Sequence, residues 1–249
     1  MIERTEHDGI VTLRMNRGKA NALDLELVEA LARGIAEADD AEARALVITG
    51  SGSIFSAGVD LVRVLDGGRD YVERFIPAMS RMMLDLFALQ TPVVAAINGH
   101  AIAGGAILAA ACDVRVMAAG NARIGLPELH VGVPFPPATI EILRFAWPPH
   151  VVQSIIFSSE PATAEQAKTL ALVDELVEAE RLLPRAIEVA RGLAEIPREA
   201  FRLTKRQLRE RAIRHAKHFA HEFDPQMLEL WSSGDTMTAI RKAVERMKR

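Results

Sequence analysis

The chain has 249 residues, 49% of them hydrophobic, with a formal net charge of −3 and one cysteine. That supports a sizeable core in one large α/β domain, or one with a helical appendage, and gives no global pull toward nucleic acid or an anionic membrane. Cys112 alone excludes an internal disulfide framework, the opening MIERTEHDG does not read as a targeting peptide, and the apolar runs are too short to span a bilayer, so the expectation is a cytoplasmic protein.

Ile2 to Glu6 and Ile10 to Met15 flank His7-Asp8-Gly9 and predict a hairpin. Asn16 to Ala22 reads as a polar loop. Asp24 is placed to cap a helix, with Leu23 and Val28 as a hydrophobic staple. Leu27, Val28, Leu31 and Ile35 then mark one apolar stripe up to Asp39-Asp40. Arg44 to Thr49 carries ALVIT, a buried strand, and the rhythm of strand, helix and strand predicts parallel α/β units.

Gly50 to Leu61, GSGSIFSAGVDL, reads as a glycine- and serine-rich loop. It lacks the Lys-Ser/Thr end of a phosphate loop and the third glycine of a dinucleotide fingerprint. Ala57-Gly58 can still bend the chain so that the N–H of Val59 is free to donate. Asp66 to Asp70, DGGRD, predicts a flexible lead-in, after which Val72, Phe75, Ile76, Met79, Met82, Met83, Leu86 and Leu89 recur at helical spacing. They form a core stripe or, for the methionines, an adaptable lining for an aliphatic tail.

Thr91 to Val133 is the chemical centre of the sequence. Pro92 to Ile97 suits a buried strand, Asn98-Gly99 breaks it, and Gly104-Gly105 precedes an apolar helical run from Ala106 to Cys112. Glycines at a strand-to-helix junction let backbone N–H groups approach a ligand, and a helix N-terminus favours negative charge there. Glu128 follows in a proline-flanked loop among apolar residues. An oxyanion site and one desolvated carboxylate are the ingredients for removing a proton beside a carbonyl.

Downstream, Pro134 to Pro137 is a rigid loop, and Thr139 to Phe145 a helix ending before Trp147. Thr163 and Gln166 form a capping box that opens a short helix. Leu172 to Val177 predicts the last strand. From Glu180 the pattern is helical, broken at Pro197, Pro225 and Gly234, with Asp235 capping a final helix from Thr236 to the end.

Other features read as structural. His215, His218 and His221 advance in three-residue steps, which spread their rings too widely for one metal ion. His100 and His130 are hydrogen-bonded structural histidines or ligand contacts, and Cys112 is a small buried hydrophobe. Lys205 to Lys217 reads as a solvated basic face, with phosphates or a neighbouring subunit as other partners.

Four segments in order carry a resemblance: FSAGVDL from Phe55, INGHAIAGGA from Ile97, CDVRVMA from Cys112 and IGLPELHVGVP from Ile124. Together they resemble the crotonase superfamily, the enoyl-CoA hydratase/isomerase family, from KANAL at Lys19 to the helical end. The resemblance implies an α/β spiral of ββα units. Residues 1–195 would form this core with an acyl-CoA site, and 196–249 a helical region that drives a homotrimer or hexamer. It implies no cofactor beyond coenzyme A, which is part of the substrate, and no metal. By alignment, the N–H groups of Val59 and Gly105 would hold the thioester oxygen. Coenzyme A would lie along Lys19, Ala20, Ala57, Asp60 and Leu61, with Gly104 and Leu108 also at the substrate.

One departure matters. Hydratases of the family use two glutamates, one in the helix after the glycine pair and one in the loop that follows. Here those positions are Leu108 and Glu128. Leu108 cannot move a proton or orient water, though it can keep water away. Glu141 and Asp113 match no catalytic position of that pattern, and Pro134 to Pro137 lacks the acid of dienoyl isomerases. The single glutamate, with IGLPE and LTKRQLR, is similar to the 3,2-enoyl-CoA isomerase branch. The expected reaction is a double-bond shift from 3-enoyl-CoA to 2-enoyl-CoA with Glu128 as base. The alternatives are hydration of 2-enoyl-CoA, decarboxylation of a malonyl-type thioester, or acyl-CoA binding without turnover.

Overall fold

The computed structural model describes residues 1–40 and 43–247. Strands Ile2–His7 (β1) and Ile10–Met15 (β2) pair antiparallel. Asp8 and Gly9 between them have φ of 51° and 75°, the mirror-image turn whose twist suits a two-residue hairpin. Helix Leu25–Asp40 (α1) follows, and Asp24 accepts a 2.8 Å hydrogen bond from the Leu27 N–H, as its capping position predicts.

Three successive units then repeat one design. The first is Ala45–Gly50 (β3), Ile54–Ser56 (β4) and helix Leu61–Ala88 (α2). The second is Val93–Ile97 (β5), His100–Ile102 (β6) and helix Gly104–Ala111 (α3). The third is Val114–Ala118 (β7), Arg123–Gly125 (β8) and the short helix Glu128–Val131 (α4). Each unit gives its first strand to one sheet and its second to another, so the chain winds as a spiral of ββα turns. Helices Pro137–Ala146 (α5) and Pro149–Ser158 (α6), strand Ala162–Thr163 (β9), helix Ala164–Thr169 (α7) and strand Glu175–Val177 (β10) complete it. Among the described residues the larger sheet runs β1-β2-β3-β5-β7-β10 and the smaller β4-β6-β8-β9.

Strand alternation divides the core. Leu46, Ile48, Val93, Ala95 and Ile97 face the main core, while Ala45, Val47, Val94 and Ala96 face the other way. Helix Leu182–Ala194 (α8) covers that second face with Leu182, Ala186 and Ala190 at steps of four. Helices Arg198–Trp231 (α9) and Gly234–Met247 (α10) pack on the main core through Ala212, Met227, Trp231, Ile240 and Val244. No helix among the described residues is long and apolar enough to cross a membrane.

Several elements differ from the sequence expectation. Gly50 to Leu61 contains β4, and β6 follows the Asn98-Gly99 break; both strands are only three residues long, too short for alternation to register. The DGGRD lead-in is helical. Asp60 accepts from the N–H groups of Val62 and Arg63 at 3.0 and 3.1 Å, which starts α2 at Leu61, and Gly68 absorbs a kink with φ 56° and ψ −146°. Of Leu172 to Val177 only the last three residues are strand. Pro225 does not break α9; it lies on an exposed stretch, and burial of Ala216 before it and Met227 after it holds the helix together. Ser233, not Asp235, caps α10, its hydroxyl accepting from the Thr236 N–H at 3.2 Å. The predicted end of that helix at Lys248-Arg249 lies outside the described residues.

The basic run is not uniformly solvated. Lys205 and Arg209 are buried and both meet Asp113, at 2.6 and 2.8 Å. Lys205 also donates to the Thr91 carbonyl at 2.8 Å, and the Arg209 guanidinium lies 4.3 Å from the Phe87 ring centroid. Their one-turn spacing on α9 aims both cations inward, where the ends of α2 and α3 present carbonyls.

Candidate active site

The site is assembled from loops stitched edge to edge. Asn21 adopts φ 45° and donates to the Ile54 carbonyl at 2.9 Å, while Ser56 Oγ donates to the Asn21 carbonyl at 2.8 Å. The Ala57 N–H donates to the Ala20 carbonyl at 3.0 Å, so Ala20 and Ala57 lie side by side. Lys19, next along, is exposed.

Val59 sits between two further bonds. The Leu23 N–H donates to the Gly58 carbonyl at 2.7 Å, and the Asp60 N–H to the Leu23 carbonyl at 3.0 Å. This parallel bridge directs the Val59 N–H to the opposite side, and no protein acceptor takes it among the described residues. Gly58 has φ +81°, and a Cβ there would lie 2.7 Å from the Ile102 carbonyl oxygen. A Cβ on Gly105 would lie 2.3 Å from the Ser56 carbonyl oxygen. Only glycine at both positions lets the Val59 turn and the start of α3 approach so closely.

Ala103 joins β6 to α3 with φ 52° and ψ −124°, costly for a residue with a Cβ, on the order of 1–3 kcal/mol. Its N–H donates to the Gly125 carbonyl at 2.8 Å, which ties α3 to the segment leading to Glu128. No side chain caps α3, so its first-turn N–H groups, Gly105 included, have no protein acceptor among the described residues.

Glu128 lies at the start of α4 and not in an open loop, because Gly132, with φ 81°, closes one helical turn after it. It is 9% exposed, and its Oε2 is buried without a hydrogen-bond partner. Burial pushes its carboxyl up to about 8, only partly offset by its own backbone N–H. A carboxylate kept dry and unpaired is poised to exchange a proton with something placed beside it.

A cavity of about 440 Å³ joins these groups. Ala20, Ala57, Val59, Asp60, Leu61, Gly104 and Glu128 line it. Lys19, Gly105 and Leu108 do not line it; Gly105 is buried in the first turn of α3, next in the chain to the wall residue Gly104, and Leu108 is buried in the core while its neighbour Ile107 lines the cavity. Asp60 and Glu128 are the acidic residues on the wall, and the Asp60 carboxylate is occupied as the cap of α2. Met79 also lines it, whereas Met82 and Met83 are in the core.

Sequence reasoning missed the far part of the wall: Phe135, Trp231, Val244 and Met247. Trp231 Nε1 donates to the Pro134 carbonyl at 3.0 Å, and Thr236 Oγ1 to the Gly132 carbonyl at 3.2 Å, so the C-terminal helices close over the site of their own chain. Trp231 and Val244 are buried on their helices, but no local pattern tells a core position from one that faces a cavity; the one local signal is Phe135 held between prolines.

The structural foils are placed as follows. Cys112 is buried and its thiol pushed up to about 12, leaving it a hydrophobe. His100 Nδ1 accepts from the Arg123 N–H at 3.2 Å, and His130 is exposed. His215 packs edge-on to Phe219.

Comparison with known proteins gives one answer at the level of family. The family model for enoyl-CoA hydratases/isomerases matches residues 5–248. A carnitinyl-CoA dehydratase of Salmonella arizonae is 33% identical over 193 residues, covering 77% of this chain and 73% of that protein. The crystal structure of an enoyl-CoA hydratase from Mycobacterium ulcerans superposes with a TM-score of 0.84 at 31% identity, over 90% of this chain and 98% of the other. Human mitochondrial delta3-delta2-enoyl-CoA isomerase shares the fold with a TM-score of 0.95 over 99% and 98% of the two chains, at 21% identity.

Proposed function

This chain belongs to the enoyl-CoA hydratase/isomerase family, and on that footing we propose that it shifts the double bond of a 3-enoyl-CoA thioester to give the conjugated 2-enoyl-CoA. The observation that carries this reading is the lone unpaired carboxylate of Glu128 on the cavity wall. Glu128 takes a proton from C2, and the electron pair of that C–H bond delocalises through the thioester carbonyl as a dienolate. The N–H groups of Val59 and Gly105 hold the oxyanion, each worth about 3–4 kcal/mol in comparable holes. The same carboxyl returns the proton to C4, the double bond moves from C3–C4 to C2–C3, and no other reactant is consumed. Lys19, Ala20, Ala57, Asp60 and Leu61 are the proposed seat of coenzyme A.

Hydration needs a second group to orient water, and Leu108 stands where the family's hydratases carry a glutamate. Hydration of 2-enoyl-CoA by Glu128 and an ordered water is the second reading, favoured by the names of two of the relatives. A homotrimer or hexamer belongs to the proposal, supported by exposed Leu203 and Leu208 on α9. The test is product identification by mass and NMR after incubation with a 3-enoyl-CoA. The expected product is the 2-enoyl isomer at unchanged mass; a 3-hydroxyacyl-CoA, heavier by one water, as the main product would overturn it.

A further inference from the structure

Pro134 and Phe135 line the catalytic cavity, and the same two residues line a second apolar groove of about 470 Å³ between α5 and α9. Ile140, Phe219, Phe223, Met227 and Leu230 supply its apolar lining. On α9 the division falls within one turn, since Leu230 faces the groove while Trp231 faces the cavity. The Trp231 Nε1 bond to the Pro134 carbonyl holds the partition together. The prolines on both sides of Phe135 restrict its backbone, so its half-buried ring is held, with Pro134, on the wall common to two apolar spaces.

We propose that Phe135 is a specificity-determining residue that limits the length of the acyl chain, and that the groove beyond it is the space a longer tail would fill. This rests on the acyl-CoA reading of the cavity. The occupant is argued from continuity: the groove and the cavity share Pro134 and Phe135 as wall residues, and the groove walls are apolar apart from Glu141, Arg144 and Gln226. Glu141 and Arg144 are engaged with each other at 2.9 Å. An aliphatic chain asks nothing more of such walls. Each further methylene taken from water is worth about a fourfold gain in affinity, so an opened partition favours long chains by a predictable factor.

The experiment measures Kd for saturated acyl-CoAs of six to sixteen carbons, with kcat/KM for the matching 3-enoyl-CoAs, in the parent, Phe135→Ala and Phe135→Leu. In the parent, affinity stops rising once the cavity is full. In Phe135→Ala the plateau moves to longer chains, and the long-to-short ratio of affinities rises roughly tenfold or more, with Phe135→Leu between. Adding Phe223→Glu to Phe135→Ala charges the groove and removes the gain. A plateau unmoved in both folded Phe135 variants overturns the proposal, whatever the turnover. A moved plateau with no isomerisation by the parent supports the partition and sinks the isomerase reading. If Phe223→Glu alone dissociates an oligomer and chain-length dependence never changes, the groove seats a second copy and the proposal falls.

Discussion

At the scale of the residue, Glu128 sets the expectations. Its carboxyl, ordinarily near 4.5, is pushed up to about 8 by burial. Proton abstraction needs the ionised form, so kcat/KM should rise with pH and level off above about 8, as a pH–rate profile would show. The same shift bears on stability with a definite sign. Between the two values the folded state holds a proton that the unfolded state has released, so stability falls as pH rises through that window, by on the order of 5 kcal/mol in total. Glu128→Gln removes the titration. It should gain stability over the parent between pH 6 and pH 9 in urea melts, and parallel curves would contradict the burial account. The glutamate itself was legible in the sequence, because a carboxylate among LPEL apolar neighbours invites the question of its purpose. That it opens a helical turn was not, since α4 has only four residues.

At the scale of the element, the start of α3 and the Val59 turn form one unit. Gly105→Ala places a Cβ 2.3 Å from the Ser56 carbonyl oxygen, so something in the backbone must shift. Turnover should drop at least tenfold while the protein still folds, and steady-state kinetics beside a circular dichroism melt would separate the two effects. Normal turnover in Gly105→Ala would mean that close approach of these segments is not needed for the reaction. The glycine pair and Pro92 to Ile97 announce this unit because a buried apolar strand followed by glycines has few other uses. The three-residue strands β4 and β6 carry no such signal. The early start of α2 was hidden because DGGRD spells flexibility, whereas the decisive residue is Asp60, whose carboxylate caps the helix before the glycines.

At the scale of the whole molecule, the C-terminal helices are fastened to the catalytic core by charge. Lys205 and Arg209 share Asp113 in a buried cluster, and burial lowers the lysine to about 8 against the pull of that carboxylate. Asp113→Asn leaves two buried cations without their counter-ion and should cost about 3–5 kcal/mol in chemical denaturation. A loss under 1 kcal/mol would show the cluster to be dispensable. Composition cannot reveal this anchorage, because a run of basic residues on a helix looks solvated until the partner, 92 residues earlier in the chain, is known. For the same reason the contribution of Trp231 and Val244 to the cavity depends on packing that no local pattern encodes.

In the proposed reaction one carboxylate moves a proton along an acyl thioester. Its most direct test is the ultraviolet absorbance of the conjugated thioester when the purified protein meets a 3-enoyl-CoA. Absorbance should rise with the parent and fall in rate by about 10²–10⁴ in Glu128→Gln, with acyl-CoA binding retained. A glutamine variant as fast as the parent, or a parent that binds acyl-CoA and forms no conjugated product, would contradict it.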